Sequence, residues 1–442
     1  MNNKSNNKVF IWSLIVALGG FLFGFDTAVI SGVEKHIQEL FQLSSFWHAF
    51  AISSALVGTM IGALVAGEPA DKYGRKPILF IIAGLYVLSA IGSAMAGNVS
   101  TFIIFRFLGG IGIGASSVVA PTYIAEISPA KIRGRMTAMF QFNIIFGILI
   151  AFVSNFLLRD FGAEPWRWML GVAGVPAFLF FAFLFIIPES PRFLIKIGET
   201  AKARQILEKI EITSIDKEIE EIKQSMVRWS NHDQQLFSHA YIRPISVAFL
   251  VAMFNQFSGI NAILYYAPRI FELSGLSNAD SMFQSIMIGV TNGIFTILGM
   301  LLIDRVGRKK LLITGSIGMS VCLGLIAKTF YTHSFSGYGL LLLLLVYIMF
   351  FAFSTGAVIW VLIAEIFPNS VRGKGQSLGS FTHWFYAALI TFLFPVVVKI
   401  SDFGVGHAFL FFSVMMIVQA VVVWKYFPET KGRTLEELGE NL

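Results

Sequence analysis

The sequence predicts an all-α membrane protein: twelve transmembrane helices in two six-helix halves, with a helical loop on the cytosolic side between them. Three observations carry that prediction. The chain is 56% hydrophobic and only 13% charged, with a mean hydropathy of +0.73, whereas a soluble domain carries roughly a quarter charged residues. Apolar windows of about 20 residues, the length a helix needs to cross a bilayer, recur from end to end. The motifs around the polar loops of the first half also return in the second.

Hydropathy and Gly/Pro punctuation place the spans near 9–33, 46–69, 77–97, 100–124, 137–158 and 166–187, then 244–271, 279–303, 309–331, 336–364, 374–399 and 405–427. The first span lacks a small-residue cleavage site and is expected to be retained rather than removed as a signal peptide. One long polar stretch, 189–243, separates the sixth and seventh spans. Its segments "TAKARQILEKI" and "IDKEIEEIKQSMVRW" carry apolar residues at helical spacing, as short amphipathic helices do. The expected organisation is an N-terminal half over 1–188, a linker over 189–243, a C-terminal half over 244–427 and a tail over 428–442.

Lys and Arg gather in the short loops "DKYGRK", "AKIRGR", "DRVGRKK", "VRGKG" and "TKGR". Basic loops mark the cytosolic face, and an even number of spans puts both termini there. The same distribution accounts for the net charge of +7 and argues against nucleic-acid binding. Cys322 is the only cysteine, so a disulfide framework and a thiolate metal site are both excluded.

The repeat is detailed. "GEPADKYGRK" at 67–76 returns as "GMLLIDRVGRK" at 299–309, and "AEISPAKIRGR" at 125–135 returns as "AEIFPNSVRGK" at 364–374. "PESPR" at 188–192 returns as "PETKGR" at 428–433. Asp71, Arg75, Glu126 and Arg133 thus answer to Asp304, Arg308, Glu365 and Arg372. These charges could serve only orientation and weak solvated pairing. Their kept register favours a latch that holds the two halves together on the inside. Parallel repeats of this kind place a substrate site near the membrane midplane, between the halves.

Two polar sets lie within the spans. Asp26 is the only acid in the first apolar run, and a lone acid at the bilayer centre costs about 2.5–3.5 kcal/mol. Arg106, in "FRFLGG", is the base that can offset it. The pair is either a static structural contact or a proton switch, in which separation from the arginine changes the acid's proton affinity. The second set is uncharged: Gln141, Asn255, Gln256, Asn261 and Asn292, with Trp360, His383 and Trp384. Any one amide can be explained by helix–helix hydrogen bonding. As a set they suit a neutral polyol, because amides offer donors and acceptors to hydroxyls and tryptophan offers an apolar face. Gln256 and Asn261 converge if their helix unwinds near Ser258 and Gly259. Tyr265 and Tyr266 are either gates outward of the substrate or interfacial aromatics.

The paired motifs, with "GFDTAVISG" and "NQFSGINAILYYAP" (255–268), resemble the sugar porter family of the major facilitator superfamily over essentially the whole chain. The resemblance implies a major facilitator fold that rocks between outward-open and inward-open states. It implies further latch members at Glu189, Arg192 and Glu429, and proton coupling by Asp26 and Arg106. It also implies sugar contacts at Gln141, Gln256, Asn261, Asn292 and Trp360. Three positions depart from the family pattern. Asn255 stands for a longer glutamine. "GAVIW" (356–360) has Ala357 in place of a proline, which is expected to remove a helix break. His383 stands for an amide before Trp384, where it binds sugar, responds to pH or packs.

The expected activity is import of a neutral hexose or pentose by monosaccharide:proton symport, through alternating access. A facilitative sugar uniporter and a proton-coupled polyol (inositol-type) transporter are the alternatives. A transporter-like sensor would carry a long cytosolic extension. An enzyme would show a nucleophile–base pair, a metal-ligand cluster or a phosphate loop, and none appears in the sequence. The expected partners are a small neutral sugar, a proton and the lipid bilayer, with no cofactor, metal or nucleic acid. The chain is expected to work as a monomer in a bacterial inner membrane.

Overall fold

The computed structural model describes residues 3–129, 132–210, 215–230, 236–335, 338–368 and 371–431. Residues 432–442 of the expected C-terminal tail, with the last two residues of "TKGR", lie outside these residues. Among the described residues twelve helices are long and apolar enough to cross a membrane. The first six occupy Asn3–Leu40, Ser45–Val65, Arg75–Ala94, Val99–Ile127, Arg133–Leu158 and, in two pieces, Pro165–Gly171 and Gly174–Phe183. The last six span Ile242–Glu272, Asn278–Val306, Arg308–Thr332, Gly339–Ile366, Arg372–Val398 and Gly404–Tyr426. The linker forms Pro191–Lys196, Thr200–Lys209 and Ile215–Ser230. Ala203, Ile206 and Leu207 are its buried stripe, at the spacing of one helical face.

The first helix outruns its expected end at 33 by about two turns. Residues 34–40 are mostly polar, yet Ile37 and Glu34 are fully buried there, so packing rather than hydropathy sets the boundary. Two spans are broken. The seventh stops at Phe257 and resumes at Ile260, with Gly259 at φ +85°. A side chain at Gly259 would be strained by that φ and would strike the Phe412 ring at 2.5 Å. The tenth breaks at Ser354, φ −112° and ψ −96°. Loss of the proline at 357 therefore does not leave the tenth span unbroken, as the sequence led us to expect. The Ser354 hydroxyl donates back to Phe350 O, and such back-bonding bends helices. It also sits against Gly315 of the ninth span, where a Cβ would stand 1.8 Å from it.

The chain forms two compact units. One comprises Met1–Asp26, Gly58–Gly147 and Leu170–Gln234, the other Thr27–Val57, Ile148–Met169 and Gln235–Leu442. They divide the chain differently from the two repeated halves, because several helix ends of the first half pack inside the second unit. There Asn155 donates to Val29 O at 3.1 Å, and the Phe156 and Phe283 rings lie 5.7 Å apart.

Each unit has its own apolar core. Leu79, Ile82, Ile113 and Phe180 belong to the first, and Val251, Leu312, Ile359 and Leu362 to the second. The outer faces are apolar too: Ile317, Val321 and Leu325 repeat every four residues on the ninth span and are all exposed. Water would oppose such a stripe, whereas hydrocarbon accepts it.

In the first unit the second and fourth spans touch backbone to backbone. A Cβ at Gly62 would lie 2.2 Å from Ile111 O, and one at Gly114 2.0 Å from Thr59 O. Small residues are what permit such closeness between membrane helices. Gly114→Leu is expected to cost at least about 1–3 kcal/mol by overpacking, lowering the melting temperature of the purified protein in detergent. Gly84→Ala, at a helical position with nothing within 4 Å, is the control and does not lower it.

Candidate functional site

The first unit holds the membrane-embedded acid and base. Gly24 lets the first helix approach the fifth so closely that a Cβ there would fall 1.8 Å from Ile144 O. Two residues on, Asp26 Oδ1 accepts a short hydrogen bond from Arg106 Nη1 of the fourth span. Arg106 is 1% exposed and Asp26 17%. The contact is single, not a two-pronged fork. Among the described residues Asp26 Oδ2 and Arg106 Nε and Nη2 have no hydrogen-bond partner. One carboxylate oxygen is therefore engaged by a permanent cation, while the other has no such contact. Gln141 lies half-buried on the fifth span of the same unit.

The repeated charges form two matching clusters, one in each unit. In the first, Arg75 Nη2 lies 2.8 Å from Asp71 and 3.0 Å from Glu126, and Nη1 donates to Ala70 O at 3.2 Å. Glu189 accepts from the backbone nitrogens of Arg75 and Lys76, both at 3.1 Å, capping the third span. Ser190 Oγ donates to Glu126. In the second, Arg308 meets Asp304 at 3.0 Å, Glu365 at 2.7 Å and Ile303 O at 3.2 Å. Glu429 accepts from the backbone of Arg308 at 2.9 Å and Lys309 at 3.1 Å, and Thr430 Oγ1 donates to Glu365 at 2.6 Å.

Gly74 and Gly307 precede the capped spans with φ +102° and +97°. A Cβ at either would come within 2.6 Å of the capping carboxylate. The helix N-terminus attracts a carboxylate, and glycine leaves room for it. Burial raises the Glu189 carboxyl above the usual glutamate range, against the opposing pull of its backbone donors and of Arg75. Arg192 lines a cavity of about 460 Å³ with Asp71, Arg75, Glu126 and Lys196. Arg133 donates to the carbonyls of Ala125 and Ser128 at 3.1 and 3.3 Å, and Arg372 to that of Phe367 at 3.3 Å.

The second unit brings most of the uncharged set together at the seventh-span break. Across it Asn261 Nδ2 donates to Gln256 Oε1 at 2.7 Å, the convergence expected from local unwinding. Gln256 Nε2 donates to Asn255 Oδ1 at 3.0 Å and lies 3.2 Å from both ring nitrogens of His383. Trp360 and Trp384 flank that imidazole, each with its ring centre 4.8 Å away. Tyr347 donates to Ser258 O at 2.9 Å, satisfying a carbonyl freed by the break. Asn292 is buried on the eighth span, where Thr296 Oγ1 approaches it at 3.5 Å.

Tyr265 and Tyr266 are fully buried, which removes the interfacial alternative. Tyr266 has non-helical φ −125° and ψ 21° before Pro268, and its hydroxyl donates to Thr391 O at 3.1 Å.

Three ionisable residues escaped the sequence reading: Glu34 and His48, both buried, and Arg269, 23% exposed. Glu34 lay one residue beyond the expected end of the first span. Arg269 sits among the apolar residues of "YYAPRIF", and a charge inside a span was the available signal.

Twelve spans, duplicated charge clusters and a membrane-embedded acid–base pair define a membrane carrier of the major facilitator type. The chain belongs to the sugar (and other) transporter family, whose model matches residues 12–442, and it is an integral multi-pass membrane protein. It is similar to the D-xylose-proton symporter of Escherichia coli (strain K12), with 36% identity covering 99% of this chain and 96% of that protein. The arabinose-proton symporter of Bacillus subtilis (strain 168) is 37% identical, covering 99% and 95%. Among solved structures, the inward-open conformation of the xylose transporter XylE from E. coli matches with a TM-score of 0.87 and 36% identity, covering 98% of this chain and 99% of that one.

The clusters separate buried from exposed pairing. Arg308 is 9% exposed and Asp304 79%. Arg308→Ala leaves Glu365 without its cation and is expected to cost about 3 kcal/mol. Asp304→Ala should cost no more than about 1 kcal/mol. Thermal melting of the two variants in one detergent compares them directly.

Proposed function

We propose that this protein imports a neutral pentose or hexose together with a proton, by alternating access across the cell membrane of a bacterium. The observation that carries the coupling is the single-pronged contact between Asp26 and Arg106. A carboxylate with one free oxygen, held by an arginine on another span, binds a proton more readily once a movement weakens that contact. The names of the two relatives above, both proton symporters of pentoses, support the same reading over nearly the full chain.

The cargo follows from the second-unit amide and tryptophan cluster. Asn255, Gln256, Asn261 and His383 supply hydrogen-bond partners without net charge, and Trp360 and Trp384 supply apolar faces. Gln141 and Asn292 are read as further sugar contacts. In this reading Tyr265 and Tyr266 close over the sugar from the outside. The basic loops face the cytosol, both termini lie there, and the chain works as a monomer of two six-helix halves. Asp71, Arg75, Glu126, Arg133, Glu189 and Arg192, with Asp304, Arg308, Glu365, Arg372 and Glu429, act as the inner latch.

One titrating group is sufficient for accumulation. A proton crossing 100 mV supplies about 2.3 kcal/mol. At about 1.4 kcal/mol per tenfold, that sustains roughly a fifty-fold sugar gradient.

Uptake of labelled xylose, arabinose, glucose and inositol into proteoliposomes, with and without an imposed pH gradient, tests the function. Accumulation of a sugar that requires the gradient is expected, whereas equilibration indifferent to the gradient would establish uniport. Asp26→Asn is expected to abolish accumulation while leaving sugar exchange within about threefold of the parent. If Asp26→Asn still concentrates sugar, the assigned coupling is wrong.

A further inference from the structure

A further set of ionisable groups, two of them buried, lies outside the acid–base pair, the amide cluster and the basic-loop clusters. Glu34 of the first helix and His48 of the second span are each 1% exposed, and His48 Nε2 lies 2.8 Å from Glu34 Oε2. Arg269, near the end of the seventh span, brings Nη1 to 3.2 Å from the same oxygen. That nitrogen also donates to Gln38 Oε1 at 3.0 Å. A wetter pair accompanies them, Lys35 Nζ to Glu272 Oε2 at 2.7 Å, with Asn278 Nδ2 donating to Glu272 Oε1 at 2.7 Å. His48, Tyr266, Arg269, Phe394 and Lys399 line a void of about 10 Å³, the size of one water.

All these contacts lie within the second compact unit, yet the residues come from both repeated halves. Glu34, Lys35, Gln38 and His48 belong to the first half, and Arg269, Glu272 and Asn278 to the second. The set stands at the helix ends remote from the basic loops. A buried carboxylate is tolerable only while its cation and donor stay in place. Any separation of the first two helices from the seventh strips Glu34 of Arg269 and must readmit water to both.

We infer that Glu34, His48 and Arg269 form the gate that closes the carrier at the end opposite its basic loops. Glu34 and Arg269 are the closing pair, and the His48 ring packs beside the same carboxylate oxygen, with Nε2 2.8 Å away. Lys35 and Glu272 contribute little, since Lys35 is half exposed and exposed pairs are weak. The inference rests on the alternating-access reading above and extends it to an end that the inner latch does not reach.

The test places a reporter at Ile270, which is 0% exposed and lines the void. In the full chain carrying Cys322→Ser and Ile270→Cys, a membrane-impermeant maleimide is applied to reconstituted vesicles from the face opposite the basic loops. Glu34→Gln and Arg269→Ala are each expected to raise the labelling rate at least tenfold. Lys35→Ala is expected to change it less than twofold. An unchanged rate in Glu34→Gln, a variant of the same shape, overturns the gate whatever Arg269→Ala does. A melting temperature for each variant separates gate opening from unfolding, and faster labelling that tracks lost melting also overturns the inference. No sugar is present in the assay, so it answers independently of the uptake experiment.

Discussion

Arg106 sets the terms for the first unit. Its guanidinium is 1% exposed in the fourth span and stays charged at any working pH. Hydrocarbon offers it no water, so a carboxylate must come to it, and Asp26 is the acid that the first helix brings. That approach depends on close helix contact in turn. Gly24 lets the first helix meet the fifth, and Gly62 and Gly114 let the second meet the fourth. A methyl group at any of these positions would move the carrier of the acid or of the base.

The same constraint shapes the second unit by a different route. Its amide cluster is neutral, and the polar groups there are largely backbone and amide groups beside a broken helix. The break at Ser258–Gly259 frees a carbonyl that Tyr347 recovers, and it turns Gln256 and Asn261 towards each other. A continuous helix would leave two residues five apart on different faces. The break in the tenth span follows the same economy of donors, with Ser354 supplying what the missing proline would have forced.

Much of this was legible in the sequence. The twelve spans follow from apolar length, and the repeat places Arg75 opposite Asp71 and Glu126, and Arg308 opposite Asp304 and Glu365, in matching geometry. Asp26 and Arg106 could be paired because each was a lone charge in a hydrocarbon-length segment. Asn261 and Gln256 could be paired because glycine and serine lay between them. The rest depended on contacts between distant segments. The first helix continues to Leu40 because Glu34 and Ile37 find partners that hydropathy does not see. The Ser354 break depends on Gly315, 39 positions away in the chain. The compact units cut across helices because packing does not respect the boundaries of the duplication.

The duplication is also imperfect in a way that matters. Glu126, in the first cluster, is 8% exposed, while its counterpart Glu365 is 25% exposed. Ions in solution screen the wetter contact and barely reach the drier one. The two clusters, so alike in their bonds, therefore differ in hardness. A rise in ionic strength loosens the C-terminal one first, giving a nominally symmetric protein a built-in order of yielding.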